Sequence, residues 1–347
     1  MLGFMEFFKM VVESPLLLAA VVPAIAMMLV NGWTDAPVAI ATAVRSGAIK
    51  LKSAIILAAV CNFLGAALMI ALGNSVATSI YSLSGMGKLP IELVGNALIC
   101  AMLSVVVWSL FALYYGIPTS ESHALLSALF GAAAAVVGSQ AFDKTEWLKV
   151  LLGIFLAAAP NLFIALVLSK WLEKTFSSNT ASTNVFKKSQ IFGAALSSFA
   201  HGAQDGQKFG AVLTVTASVC VFKSEGTVYI PIWTVVLSAG FISLGMLLGG
   251  KRIIKSFDSF ASPKASSGFA SDIVSALTLF IMSLFGIPAS TTHAKTCAVL
   301  GASISRNNFI ACIKATVKMT LFWGLTFPVC IGLSFILSHI MLFFSRL

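Results

Sequence analysis

Residues 116–124 read GIPTSESHA, and residues 286–294 read GIPASTTHA. Each stretch puts a Gly-Ile-Pro stop, a cluster of hydroxyls and a histidine into an otherwise apolar chain. The offset of 170 that pairs Pro118 with Pro288 and His123 with His293 also pairs Asn31 with His201 and Asp35 with Asp205. NGWTD (31–35) thus lies over HGAQD (201–205) in the same register. Two separate motifs sharing one offset mark an internal repeat. The expected organisation is a first repeat over 1–173, a basic linker over 174–190 and a second repeat over 191–347.

The chain around these motifs is 59% hydrophobic and 10% charged over 347 residues, with mean hydropathy +0.98. A soluble domain carries about 25% charged residues. The expected fold class is therefore an all-α polytopic membrane protein with about five apolar segments per repeat and broken or re-entrant helices at the polar motifs; about ten crossings fit the length. The apolar run from Leu16 to Val30 follows Lys9 as a signal peptide would. It continues into NGWTDAPVAIATAV without a cleavage site and reads as the first transmembrane helix.

The net charge of +10 is spread through short loops, with no basic run interleaved with aromatics, so nucleic acid is not an expected partner. With the N-terminus outside and every segment crossing, the inside loops hold twelve Lys and Arg residues and the outside regions six, as the positive-inside rule requires. Lys88, Lys223 and Arg346 are among the outer charges and Arg306 among the inner ones. An odd number of crossings per repeat turns the second repeat upside down, the inverted arrangement of many secondary transporters. Re-entry of 117–138 and of 287–303 is the alternative to crossing. The cysteines, Cys61, Cys100, Cys220, Cys297, Cys312 and Cys330, are scattered through apolar segments without metal-ligand or disulfide spacing.

The chemistry lies in the polar motifs. An Asp at the bilayer centre costs about 2.5–3.5 kcal/mol. Asp35 and Asp205 follow matching polar tetrads that break apolar helices, surrounded by Asn31, Thr34, His201, Gln204, Gln207 and Lys208. A capping role is the alternative, and Asp35 before Ala36-Pro37 suits it. In the quoted phrases, Thr119, Ser120 and Ser122, and Ser290, Thr291 and Thr292, begin new helices. A helix N-terminus offers free N–H groups and partial positive charge to an anion, and hydroxyls suit a tetrahedral oxyanion. Asp35, Asp205 and Glu121 bring three negative charges against one from Lys208. An anion enters such a pocket only with a cation or protons, which points to symport. Asp oxygens with Asn, Thr and Ser oxygens suit Na⁺ as the bound metal ion; Glu121 and the histidines could instead carry H⁺. His123 and His293 suit either loop-holding or proton relay. Lys295 reads as a snorkelling residue, and His339, without a repeat partner, as structural. No nucleotide loop, Ser-His-Asp signature or HExxH motif appears, so no enzyme and no cofactor are expected.

These residues resemble the inorganic phosphate transporter (PiT) family, which carries two copies of an N-D motif and two of a G-x-P-x-S-x-x-H motif. The matching residues are Asn31, Gly32 and Asp35 with Gly116, Pro118, Ser120 and His123, then His201, Gly202, Asp205, Gln207 and Lys208 with Gly286, Pro288, Ser290, Thr291, Thr292 and His293. The resemblance implies import of inorganic phosphate with Na⁺ or H⁺ across a prokaryotic plasma membrane, and it allows a homodimer. By resemblance the matching Asp, Gln, Ser and Thr residues hold phosphate and cation; the expected division gives Asn31, Thr34, Asp35, Gln204 and Asp205 to the coupling cation, and Thr119, Ser120, Glu121, Ser122, Gln207, Lys208, Ser290, Thr291 and Thr292 to the anion, with Lys208 either touching the anion or balancing Asp205. Thr34 and Gln204 stand where the family has Asn, Val38 stands where the first copy has Asn, and Glu121 replaces a Thr. Sulfate symport is the alternative within the family, and a passive anion channel a more distant one.

Overall fold

The computed structural model describes residues 3–72, 76, 89, 91–176, 180–222, 231–256, 264–304 and 309–344. Lys88, Lys223, Arg306 and Arg346, which enter the charge count, lie outside the described residues, as does the side chain of Cys220. The described chain is nearly all helix: α1 (Phe4–Glu13), α2 (Pro15–Thr34), a 3₁₀ turn (Ala36–Ile40), α3 (Ala41–Arg45), α4 (Leu51–Leu72), α5 (Ile91–Tyr115), α6 (Glu121–Val137), α7 (Lys144–Phe176), α8 (Thr180–Phe222), α9 (Ile232–Leu248), α10 (Lys251–Ser256), α11 (Ala265–Leu284), α12 (Thr291–Ile304) and α13 (Phe309–Phe344). Among the described residues, seven helical stretches are long and apolar enough to cross a membrane. That is fewer than the ten segments read from hydropathy. The polar centre of α8 lowers its mean hydropathy, α9 has 17 residues, and α12 has 14. The segment 174–190 holds the end of α7 and the first turns of α8.

The break expected in the first helix is present at Asp35, where α2 gives way to the 3₁₀ turn. Pro37 has no N–H to continue an α-helical ladder, and Pro is well tolerated at a helix start. The second copy behaves differently. Gln207 stands at the position offset from Pro37, and α8 runs unbroken through His201–Lys208.

The two Gly-Ile-Pro phrases fold alike, bond for bond. Gly116 (φ 64°) and Gly286 (φ 66°) adopt the left-handed conformation that ends α5 and α11. The Ile117 N–H donates to the Ala112 carbonyl at 3.0 Å, and the Ile287 N–H donates to the Met282 carbonyl at 2.9 Å. The serine three residues after each proline-preceding isoleucine then caps the next helix: Ser120 Oγ accepts from the His123 N–H at 3.3 Å, and Ser290 Oγ from the His293 N–H at 3.1 Å.

Packing exchanges helices between the two halves of the chain. α6 lies against α13 and α12 against α7, while α2 packs on α9 and α4 on α8. Glycines set these contacts, since a Cβ at Gly32 would stand 2.0 Å from the Ile242 carbonyl oxygen and one at Gly202 2.0 Å from that of Asn62. Likewise a Cβ at Gly131 would stand 2.4 Å from the Ile331 oxygen, and one at Gly301 2.0 Å from the Leu162 oxygen. Gly32 and Gly202, like Gly131 and Gly301, are separated by 170 residues.

Gly301→Val should therefore cost about 1–3 kcal/mol of overpacking, and should lower the unfolding temperature followed by tryptophan fluorescence in detergent. Gly332→Ala, inside α13 where nothing lies within 4 Å of the added carbon, should hold or raise that temperature, since Ala favours a helix interior over Gly by about 0.5–1 kcal/mol.

Candidate functional site

The polar motifs converge on one buried cluster. Asp35 and Asp205 are each 1% exposed, and Asn31, Gln204 and Ser120 are fully buried. Each aspartate faces the helix start contributed by the other half of the chain. Asp35, at the end of α2, accepts from Thr291 Oγ1 at 2.8 Å through Oδ2, and from Thr292 Oγ1 through Oδ1. Thr292 Oγ1 also lies 2.9 Å from the Thr119 carbonyl, which ties the α12 start to the loop before α6.

Asp205 is treated differently. Lys208, one turn later on α8, donates to Asp205 Oδ1 at 2.8 Å, to Ser122 Oγ at 2.7 Å and to the Ala289 carbonyl at 2.6 Å. Asn31 Nδ2 donates to Asp205 Oδ2 at 3.1 Å, and His201 Nε2 lies 3.3 Å from the same oxygen. The ring of His201 is oriented by Asn62, whose Oδ1 is 2.7 Å from Nδ1. A lysine ammonium thus bridges Asp205 to the α6 start, where Asp35 meets the α12 start through hydroxyls alone.

Glu121 breaks the hydroxyl symmetry, and its position has an electrostatic reason. Offset by 170 from Thr291, it would face Asp205 if it followed the other copy. Two carboxylates about 4 Å apart repel by about 4 kcal/mol at an effective dielectric of about 20. The Glu121 carboxyl instead pairs with Thr34 Oγ1, and Lys208 takes the place beside Asp205. Thr34 Oγ1 also lies 2.8 Å from the Val30 carbonyl, so its single hydrogen faces two acceptors.

The cluster therefore gathers Asn31, Thr34, Asp35, Glu121, Ser122, Asp205, Lys208, Thr291 and Thr292, with Thr119 joining through its carbonyl. Ser120 and Ser290 serve as caps, and Ser290 Oγ also meets His293 Nδ1 at 2.6 Å. Gln204 donates to the Leu279 and Ile287 carbonyls at 3.4 and 3.3 Å and fastens α8 to the end of α11. Gln207 bonds to the Ala203 carbonyl and the Val76 N–H, at 3.2 and 3.3 Å. The ring centroids of His123 and His293 lie 4.7 Å apart with the rings tilted by 50°, and the Trp323 ring centroid lies 3.6 Å from that of His293.

Asp35, His201 and Asp205 each offer a ligand atom within 4.8 Å of the others. The donors differ in spare capacity. Both oxygens of Asp205 already meet donors, whereas Asp35 meets only two hydroxyls, which can turn their lone pairs toward a cation. Three participants escaped the motif-based reading, Thr42, Ser197 and Asp272, and Lys295, read as a snorkelling residue, turns inward to join them. Thr42 donates to Asp272 Oδ1 at 2.7 Å, and Lys295 pairs with the same oxygen. The available signal was Asp272 itself, a carboxylate alone in the apolar run 265–284.

Asp205→Asn should cost about 3–5 kcal/mol in a detergent unfolding assay, because it leaves the buried Lys208 ammonium uncompensated. Asp205→Asn with Lys208→Met should recover most of that loss.

Known proteins resemble this chain over most of its length. A model of the phosphate transporter family matches residues 31–183 and 171–334. The chain is 31% identical over 315 residues to a "Probable low-affinity inorganic phosphate transporter" of Bacillus subtilis, covering 89% of this chain and 92% of that protein. A protein of the same name from Rhizobium meliloti is 30% identical over 319 residues, covering 90% and 93%. A solved structure titled "The sodium-dependent phosphate transporter" superposes with a TM-score of 0.78 at 23% identity, covering 94% of this chain and 99% of that one, and shares the fold. The relatives are transporters, not enzymes, and this is a multi-pass membrane protein of prokaryotic type. With the family model spanning most of its length, the chain belongs to the phosphate transporter family.

Proposed function

We propose that this chain is a cation-coupled symporter of inorganic phosphate that works by alternating access between two inverted repeats. The observation that carries the reading is the convergence of two Ser/Thr-rich helix starts, one from each half of the chain, on two buried aspartates. The helix starts supply N–H groups, hydroxyls and partial positive charge to an oxyanion. The aspartates make the empty pocket negative and bar the anion from entering alone. Asp35, Asp205 and Glu121 against Lys208 leave a deficit of two positive charges in their ionised forms, before phosphate adds its own. A cation at Asp35, among the Thr291 and Thr292 hydroxyls and the Thr119 carbonyl, supplies part of it. Hard oxygen donors of this kind suit Na⁺.

The reciprocal packing of α6 on α13 and α12 on α7 supports the repeat reading, and suggests how the site opens: the helices that carry the two anion-facing starts lean on opposite halves of the chain. Relative movement of the halves then separates the α6 start from the α12 start and exposes the pocket.

A second reading of the driving ion rests on Thr34. When its hydrogen goes to the Val30 carbonyl, its contact with Glu121 needs a proton on the carboxyl. Glu121 Oε2 has no hydrogen-bond partner among the described residues, as suits a carboxyl that gives up and takes back a proton. In this reading Glu121 carries H⁺.

Radiolabelled phosphate uptake into proteoliposomes, with Na⁺ and pH gradients imposed separately, tests the reading. Uptake should follow at least one gradient; uptake unaffected by collapse of both would establish a passive channel instead. Asp35→Asn loses charge-assisted bonds worth about 1.5–3 kcal/mol, so uptake should fall by about ten- to hundredfold. Glu121→Gln should abolish the response to the pH gradient if the proton is the driving ion, and leave it unchanged if Na⁺ is.

A further inference from the structure

Beside the central cluster lies a second buried ion pair. Asp272, in the middle of α11, is fully buried, and Lys295, on α12, is 2% exposed. The Lys295 ammonium pairs with Asp272 Oδ1, and donates to the Ala39 carbonyl at 3.2 Å and to Ser197 Oγ at 3.4 Å. Thr42 Oγ1 braces the same carboxylate oxygen at 2.7 Å. The other oxygen, Asp272 Oδ2, is buried with no hydrogen-bond partner among the described residues. A pair held only for packing would satisfy both carboxylate oxygens, since each unsatisfied buried acceptor costs stability.

The surroundings of the ammonium are all oxygen: one carboxylate, one backbone carbonyl and one hydroxyl. That is the donor set of a hard-cation site. The oxygens come from three separate segments, α3 with the turn before it, α8 and α11, and the lysine comes from a fourth, α12. The arrangement is confined to the second half, because the positions offset by 170 from Asp272 and Lys295 are Met102 and Leu125. It also borders the transport pocket. One small cavity has Asp35, His201 and Thr291 together with Lys295, Ser197 and Ala39 in its lining.

We propose that Lys295 is a tethered cation: its ammonium fills an oxygen cage made by Asp272, Ala39 and Ser197 that otherwise holds a small monovalent cation. The protein thereby carries one of its charge-balancing cations as part of the chain, and moves one mobile cation fewer per anion than its oxygen sites could accept. The meaning for transport rests on the symport reading above, while the cage itself rests on the contacts just given.

Cation binding to the purified protein in detergent tests this, with choline replaced stepwise by Na⁺ or by K⁺. The readouts are bound ²²Na⁺ or ⁴²K⁺ per chain and the unfolding temperature. Lys295→Met removes the ammonium and keeps the bulk, so it should bind one more cation per chain than the unaltered protein. Its unfolding temperature should rise with Na⁺ or K⁺ and saturate. Lys295→Met with Asp272→Asn should lose both gains. A Lys295→Met protein that folds only in Na⁺ or K⁺ medium also supports the cage. Cation binding by Lys295→Met equal to that of the unaltered protein would overturn it, as would the same gain in the double variant. So would a Lys295→Met protein that unfolds in every medium while the double variant folds. Phosphate uptake by the unaltered protein is scored separately: its absence removes the symport reading and leaves the binding result to decide the cage.

Discussion

Four carboxylates buried in an apolar helical bundle, counted among the described residues, are the constraint on which the rest of this structure depends. Isolated, each would be costly at membrane depth, and close together they repel. Each has its own answer. Asp205 takes a lysine, an asparagine and a histidine, Asp35 takes two threonines, Glu121 takes Thr34, and Asp272 takes Lys295 and Thr42. Asn31, Thr34, Thr42, Thr291 and Thr292 each come from an element at least 87 residues away in sequence. The cost of leaving any carboxylate bare ties the helices together at the centre, where apolar packing alone would let them slide.

That centre needs helix ends inside the bundle, which apolar surroundings resist. Free N–H groups at a helix start must find partners, and a lipid-exposed start would not find them. The Gly-Ile-Pro phrases solve this twice in the same way. A left-handed glycine ends one helix, and a serine caps the next, with its first turn turned toward a carboxylate or lysine of the other half. Glycines at Gly32, Gly131, Gly202 and Gly301 let the carrier helices approach to backbone contact, so the ends are held by rigid packing. A site built in this way offers dipoles and hydroxyls, and sets its buried lysine charge against a carboxylate.

The lysines sharpen the point. Lys208 and Lys295 are both buried, and each donates to a carboxylate, a hydroxyl and a backbone carbonyl. The same donor types surround a hard metal ion, so in a bundle that must admit an anion, an ammonium on the chain and a free cation are interchangeable answers to one electrostatic demand. In the symport we propose, which positions hold the lysine and which stay open sets how many cations travel with each anion.

Much of this was legible in the linear chain. Low charge and high hydropathy announce a helical membrane protein, and a shared offset of 170 ties NGWTD to HGAQD and GIPTSESHA to GIPASTTHA. Capping chemistry is local, so Ser120 and Ser290 could be read as helix starts from their neighbours alone. Partner choice is not local. The i,i+3 spacing of Asp205 and Lys208 allows their pairing to be read from the motif, but nothing in it says that Asp35 is met by Thr291 and Thr292, that Gln207 faces Val76, or that Lys295 turns inward to Asp272 instead of snorkelling. The sequence by itself determined which groups are too polar to face lipid and where helices must stop. Only the tertiary structure decided which buried charge each of them answers, because that pairing depends on distances of a few ångströms between segments up to 257 residues apart.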